Sequence, residues 1–459
     1  MKFCPQKHIC SSKDDRDKLS ELQDDLIVNI LSYMPIVDAV RTVLLRRFGN
    51  LWTFIHTLNF DYDEFRDKLG IKGNTQHNWI CRFIRNVLTL HQNPSINTFN
   101  LRIEFDKAAV DDLSEWFRFA LDRQAKEIRL SDGSDECDFY IDCSSTLRNL
   151  TSQFLVTLEL ENCKLEGELQ VNLRSLKKLS LYSIDMSDEI FEGFISGCPS
   201  LQELVIEDPY WTNNLSFSAP NIEKLSLFLT CEVQSCLFLT CVNCFSINFP
   251  NLISLYLEID IWELNIIDVS SVRDIYVKYF EVSVNLHDDE SFTIKKMFGK
   301  LENIEVFQLS NDASKPFLYA IQDVPLLRHK WKRIVLQLQE LSNSCLSGIY
   351  YLMRSLKQLE ELDIYTTKAF DAGTNLHRLE LPSPYVTPQL KTITLHGYGK
   401  TWRSQLQLIE FLLKSAAALD KLVIVPMKGH RLKAEEELEF VKNVANFPRA
   451  SPSARVVFA

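Results

Sequence analysis

The pattern apolar-x-x-apolar-x-apolar recurs about thirteen times between Ile96 and Ile424, and nothing else in the chain restricts its fold as tightly. The copies begin at Ile96, Ala125, Leu155, Leu176, Leu201, Ile222, Leu252, Val272, Ile304, Trp331, Leu359, Leu390 and Leu419, in segments such as LVTLEL, LKKLSL and WKRIVL. The second and third apolar positions of a copy are two residues apart, so on a strand they share one side while their neighbours face the other. A single strand of this kind cannot bury its apolar side. Stacked copies can, as a parallel sheet along the concave wall of a solenoid backed by helices or loops. The expected fold class is therefore α/β.

Spacings of roughly 20 to 32 residues, averaging about 27, match those of leucine-rich repeats. Helical backing is legible in two places. DDLSEWFRFALDRQ gathers Leu113, Trp116, Phe117, Ala120 and Leu121 on one stripe, and SDEIFEGFISGCPS does the same with Ile190, Phe191, Phe194 and Ile195. Such repeats usually carry Asn or Cys three residues after the third apolar position. Cys163 fills that place in LELENC and most other copies lack it, which predicts uneven stacking and variable loops. The acidic run AEEELEFVKNV suits the first turn of a terminal helix, where carboxylates meet the positive end of the dipole, and with ARVVF it predicts a cap on the array.

Composition narrows the function. The 459 residues are 46% hydrophobic and 24% charged, as in a foldable soluble chain, and the formal net charge of -11 disfavours nucleic acid as a partner, since phosphate binding relies on Lys and Arg. The N-terminus has no apolar core or cleavage site of a secretory signal, and no stretch reaches the about 18 apolar residues that a membrane span requires. The expectation is a cytoplasmic or nuclear protein, with no membrane partner, whose 12 cysteines are mostly reduced. In CEVQSCLFLTCVNC, only Cys241 and Cys244 among Cys231, Cys236, Cys241 and Cys244 have the close spacing of zinc ligands, so buried thiols are expected there and no metal or other cofactor. No Gly-rich phosphate loop, H-E-x-x-H or G-x-S-x-G is present, and no catalytic residue is assigned.

On the outward side of the strands, alternation places Tyr182, Glu207, Phe228, Tyr256, Glu258, Tyr276, Tyr365 and His396. Aromatic residues dominate binding hot spots, and they also favour strands for packing reasons alone. These eight are the candidate contacts to a target protein.

Ahead of the repeats, LSELQDDLIVNILSYMP holds Leu22, Leu26, Ile27, Val28, Ile30, Leu31 and Met34 on an arc too wide for an ordinary surface helix. Asp17 or Ser20 is a candidate cap, Pro35 ends the helix, and VDAVRTVLLRRFGNLW restarts helical periodicity through Val40, Val43, Leu44, Phe48 and Leu51. About forty residues cannot bury that surface among themselves, so another chain or the solenoid must cover it.

The segment DKLSELQDDLIVNILSYMPIVDAVRTVLLRRFGNLW resembles the F-box of plant proteins in which an F-box, leucine-rich repeats and an FBD segment follow one another. WICRFIRNVLTLHQNPSINTFNLRIEF is similar to the helix that introduces the repeats in that family, and QLKTITLHGY through NFPRASPSARVVF resembles the FBD segment. The resemblance implies a short helical F-box module at about 15–60, a leucine-rich-repeat solenoid at about 75–387 and an FBD-like segment at 388–459 that continues and caps it. It also implies a substrate receptor of an SCF-type ubiquitin ligase, with a Skp-type adaptor, and through it a cullin and a RING subunit, as partners. Residues at the adaptor-facing positions of the family pattern are Leu22, Gln23, Leu26, Ile30, Leu31, Pro35 and Val40. Gln23 stands where the family has Pro and Phe48 where it has Trp, which predicts weaker docking. Two other readings remain open: a repeat scaffold with no part in ubiquitination, and a receptor with a small molecule seated in its bowl.

Overall fold

Every copy of the repeat forms a strand of the expected register. The computed structural model describes residues 21–69, 75–103, 110–132, 140–208, 214–229, 244–259, 264–268, 270–278, 301–310, 314, 317–318, 321–338, 343–366, 389–398, 402–427 and 432–459. The chain divides into two compact units, Met1–Lys164 with Asn172–Leu176 and Leu165–Val171 with Lys177–Ala459.

In the first unit, strands β1 (Thr57–Asp61), β2 (Thr98–Ile103), β3 (Glu127–Asp132) and β4 (Thr157–Glu161) pair in parallel and in that order. Phe60, Leu101, Leu130 and Leu160 align across them, and all four are buried. Strand β1 is a copy of the repeat that sequence reading missed: Ile55, Leu58 and Phe60 in IHTLNF fill the three apolar positions. The helices of this unit are α1 (Asp24–Ser32), α2 (Ile36–Arg41), α3 (Tyr62–Leu69), α4 (Thr75–Leu90), α5 (Val110–Asp122) and α6 (Ser144–Leu147). On α5, Leu113, Trp116, Phe117 and Ala120 are buried as the stripe requires, and Leu121 lies at its margin.

The second unit stacks eleven strands in parallel: β5 (Lys178–Tyr182), β6 (Glu203–Glu207), β7 (Lys224–Leu229), β8 (Ser254–Ile259), β9 (Asp274–Lys278), β10 (Val306–Leu309), β11 (Arg333–Leu338), β12 (Glu361–Thr366), β13 (Thr392–Tyr398), β14 (Lys421–Pro426) and β15 (Arg455–Phe458). Successive pairings run without a gap, so one inward row extends from Leu179 to Leu422 and a second from Leu181 to Ile424. The first apolar position of each copy is buried as well, from Leu176 to Leu419. This three-point burial explains why the pattern is so regular in sequence while the loops are not.

Behind the strands, α7 (Asp188–Ser196), α8 (Asn343–Ser355) and α9 (Trp402–Ser415) supply helical backing. Phe191, Phe194 and Ile195 are buried on α7, with Ile190 at the margin. For the rungs between, the backing is instead a second parallel sheet of Asn214–Ser218, Cys244–Asn248 and Leu264–Asp268. The terminal helix α10 (Ala434–Asn446) carries Glu435, Glu436 and Glu437 in its first turn, and its Phe440 packs edge-on against both Trp402 and Phe458.

Cys163 is fully buried and donates its thiol to the Glu161 carbonyl two residues back, within its own rung. Other polar groups join neighbouring rungs. An Asn immediately before the first apolar residue serves in this way: the Asn221, Asn251 and Asn303 amides donate to the carbonyls of Pro199, Pro220 and Ser270 at 2.7, 2.6 and 3.0 Å. At the other end of the strands, Asn162, Ser183 and Asp208 follow β4, β5 and β6 with φ of 53°, 49° and 42°. The backbone N–H of Ser183 then donates to the Glu207 carbonyl and that of Asp208 to the Phe228 carbonyl, so these two left-handed turns each pass one hydrogen bond to the next strand. Among the described residues no helix is long and apolar enough to cross a membrane.

Candidate functional site

Two surfaces stand out, one in each unit. In the first unit α1 begins after Gln23, whose φ of -64° and ψ of 150° make it the cap residue; Asp17 and Ser20 lie outside the described residues. Ile27, Val28 and Leu31 face inward. Leu26 and Ile30 remain 49% and 44% exposed, Met34 37% and Tyr33 93%. The arc therefore has two sides: one is the unit's own core and the other is uncovered.

Ser32 fixes this helix to the strands, since its hydroxyl donates to the Val28 carbonyl at 2.8 Å and accepts from the His56 N–H at 2.9 Å, just ahead of β1. Arg47 holds the other end, donating to the Leu22 carbonyl at 2.9 Å and pairing with Asp24. Pro35 precedes α2, which buries Ile36, Val37 and Ala39 and leaves Val40 half-buried. The helical periodicity read through Val43 and Leu44 ends at Arg41. A tight turn over Thr42–Leu44 replaces it, with the Thr42 hydroxyl donating to the Ala39 carbonyl, and leaves Val43, Leu44 and Leu45 exposed.

Of the seven adaptor-facing candidates, Leu26 and Ile30 lie on the uncovered side and Gln23 is exposed beside them. Leu22, Pro35 and Val40 are half-buried, and Leu31 is buried in the unit's own core at 3% exposure. Met34 lay on the arc as read from sequence. Leu44 belongs to the helical periodicity read after Pro35, while Tyr33 and Leu45 fall on no helical stripe and so give no face to infer from sequence.

The φ of Gln23 is already the value proline imposes. Gln23→Pro is accordingly expected to stabilise the chain by about 0.5–1 kcal/mol through the unfolded state, measured by denaturant unfolding; a loss of stability would contradict this cap geometry.

In the second unit the open face of the strands carries the eight target-contact candidates. All are half-buried except Glu258, which is buried at 9% exposure. Tyr256 and Tyr276 are register partners whose rings stack at 4.6 Å and 9°, and Phe228 lies against Tyr256 at 4.8 Å. The Tyr256 hydroxyl donates to Glu258 at 3.0 Å, and Lys278 reaches the other carboxylate oxygen at 2.6 Å. Burial pushes the Tyr256 phenol up, assisted by the carboxylate it donates to, and burial likewise raises Tyr276.

Three and four strands on from Tyr276, in order across the sheet, Tyr365 and His396 are register partners stacked at 3.9 Å and 4°. Burial lowers the His396 pKa against the pull of Asp363, so the ring is neutral at pH 7. Arg333 grips Asp363 at 2.6 Å and lies 3.4 Å from Glu361. A bulge between His396 and Tyr398 aims the His396 ring: Gly397 has φ of +93°, and a Cβ there would sit 2.2 Å from the Thr366 carbonyl. The Thr366 hydroxyl donates to the His396 carbonyl, and the buried Gln405 amide reaches the Thr366 hydroxyl and the Gly397 carbonyl.

Tyr182 and Glu207 align with Phe228 across β5 to β7. Lys278, Arg333 and Asp363 were missed in sequence, although each occupies an outward position of the same alternation. The CEVQSCLFLTCVNC cysteines lie outside the described residues but for Cys244, which belongs to the backing sheet. Among the described residues no group of three or more His, Cys, Asp or Glu is placed to hold a metal ion. Cys198 is buried, and that burial pushes its thiol up to about 12, far from a nucleophile.

Comparison with known proteins places these surfaces in context. The family described as At1g61320/AtMIF1, LRR domain, matches residues 87–443. The chain is similar to F-box/FBD/LRR-repeat protein At4g26340 of Arabidopsis thaliana, at 25% identity over 96% of this chain and 100% of that one. It is similar to F-box/FBD/LRR-repeat protein At1g13570 of the same plant at 25% identity over 96% and 98%. With F-box/FBD/LRR-repeat protein At5g56420, also from Arabidopsis thaliana, identity is 32% over 46% of this chain and 49% of the relative.

Proposed function

The chain belongs to the plant F-box/FBD/LRR-repeat family, and from that premise we propose that it is the non-catalytic substrate-recognition subunit of an SCF-type ubiquitin ligase. Residues 15–60 act as the F-box, 75–387 as the target-binding repeats and 388–459 as an FBD-like end. The observation that carries the reading is the uncovered apolar side of α1. Leu26 and Ile30 are held outward by a helix whose other side is packed, and Met34 is exposed just past its end, in the segment that matches the F-box pattern. A Skp-type adaptor covers that side and links the chain to a cullin and a RING subunit, while the open strand face of the second unit holds the target protein. The reading places the protein in the cytoplasm or nucleus, in keeping with the buried thiols of Cys143, Cys163 and Cys198.

Co-expression with a Skp-type adaptor, followed by size-exclusion chromatography, tests it. A stoichiometric complex is expected. A folded chain that elutes without adaptor would leave a repeat scaffold with no role in ubiquitination.

A further inference from the structure

We propose that the chain pairs with a second copy of itself through its last rung, β15 joining β15 edge to edge and α10 lying against α10 about one two-fold axis. The inference concerns the far end of the stack and is independent of what the open strand face holds.

The backbone of β15 is half used. β15 ends the pairing order, with β14 on one side and, among the described residues, no strand on the other. The N–H groups of Arg455 and Ala459 donate to the Asp420 and Ile424 carbonyls of the preceding rung. Alternation along a strand then turns the N–H and C=O of Val456 and Phe458 toward the open edge. Arg455, Val457 and Phe458 are exposed, and RVVF has no Pro, bulge or Lys of the kind that guards such an edge.

The helix of this rung is open at the same end. At about 100° per residue, Glu439 lies on one flank of the buried Phe440 and Val444 stripe, where it pairs with Arg403 of α9 at 3.3 Å. The opposite flank, turned away from α9, carries Ala434, Leu438, Val441 and Ala445 at i, i+4, i+7 and i+11. Leu438 is 54% exposed, and Ala434 and Ala445 are exposed too. A terminal repeat that met only water would turn a polar flank outward.

Both elements are complementary to themselves, as a two-fold contact requires. In an antiparallel pair of β15 strands centred on Val457, Val456 of each copy exchanges both its hydrogen bonds with Phe458 of the other, and the two Val457 side chains meet. In an antiparallel pair of α10 helices Leu438 lies opposite Val441 and Ala434 opposite Ala445, with no charge among them. Phe440, at the middle of α10, packs on Phe458 with ring centres 5.9 Å apart, so helix and strand are level and a single axis serves both. An extended segment of another protein would match the strand edge alone.

Sedimentation velocity of the purified full-length chain over a range of concentrations tests the proposal. A reversible dimer is expected, and a monomer at every concentration overturns it. Leu438→Glu and Val456→Pro should each weaken self-association by about tenfold or more, with circular dichroism unchanged. Leu438 is exposed, so its substitution keeps the test available should the proline disturb the fold. Oxidised glutathione should link Val457→Cys chains into a disulfide dimer, since facing residues of such a pair have Cα atoms about 4.5 Å apart. Arg455→Cys and the parent chain should stay unlinked, the two Arg455 positions lying about 13 Å apart along the strands in this register. A dimer that keeps its affinity in both variants, or that links through Arg455→Cys and not Val457→Cys, puts the contact elsewhere and overturns the inference.

Discussion

A chain carrying Leu26→Asp together with Ile30→Asp is expected to lose at least about 10-fold in affinity for a Skp-type adaptor while its melting temperature stays within a few degrees of the parent. The argument rests on which side of α1 each residue occupies. Leu26 and Ile30 are about half exposed in the free chain, so charging them costs the fold little. In a complex both become core, and since about half of each side chain is still to be buried, losing the two contacts removes about 1.5–3 kcal/mol in all, or about 10- to 100-fold. Desolvating a carboxylate adds to the loss. Leu31→Asp supplies the opposite control, since Leu31 packs inside the unit: it should melt the N-terminal helices and abolish capture by unfolding. Surface plasmon resonance with parallel circular dichroism separates the two cases. Full adaptor affinity in the double variant would show that the uncovered side of α1 is not the docking surface.

Trp331→Ala is expected to destabilise the second unit by about 4 kcal/mol. Trp331 occupies the first apolar position of its repeat with no exposed surface, stacks on Phe307 at 4.4 Å, and donates its indole N–H to the Leu301 carbonyl at 2.9 Å. The substitution opens a cavity of nearly a whole side chain and strips a buried carbonyl of its donor. Since stacked repeats couple mainly to their neighbours, the damage should be local before it is global. Hydrogen exchange is expected to quicken first at β10 and β11, with β5 and β6 protected for longer. Uniform acceleration across β5 to β15 would mean that the stack unfolds as one cooperative block.

The strands were legible because three buried points per copy repeat within a narrow range of spacings, a signal no loop can erase. The earliest rung, IHTLNF, obeys the same rule but stands 41 residues ahead of the copy at Ile96, outside the spacing of the others, so periodicity alone does not reach it. The three-stranded backing sheet left no comparable trace: NLSFS and LNIID are five residues each and look like connecting chain. On α1 the breadth of the arc indicated a partner but not which residues would meet it, since Leu31 and Ile30 are adjacent in sequence and differ only in what lies behind them. Alternation correctly placed Tyr256, Tyr276, Tyr365 and His396 on the outward side. It gave no hint that they stack in pairs, which depends on cross-strand register and, for His396, on a bulge built around Gly397.

The left-handed residues Ser183 and Asp208 turn the chain off its strand at an equivalent place in two consecutive rungs of the second unit. Whatever length follows each knuckle, the next strand starts in register, so insertions and deletions behind it leave the displayed side chains undisturbed. Rungs of this kind behave as interchangeable cassettes. A descendant gene can lengthen one return path or exchange a whole rung, and thereby acquire a different clientele, without redesigning the spine that every copy shares.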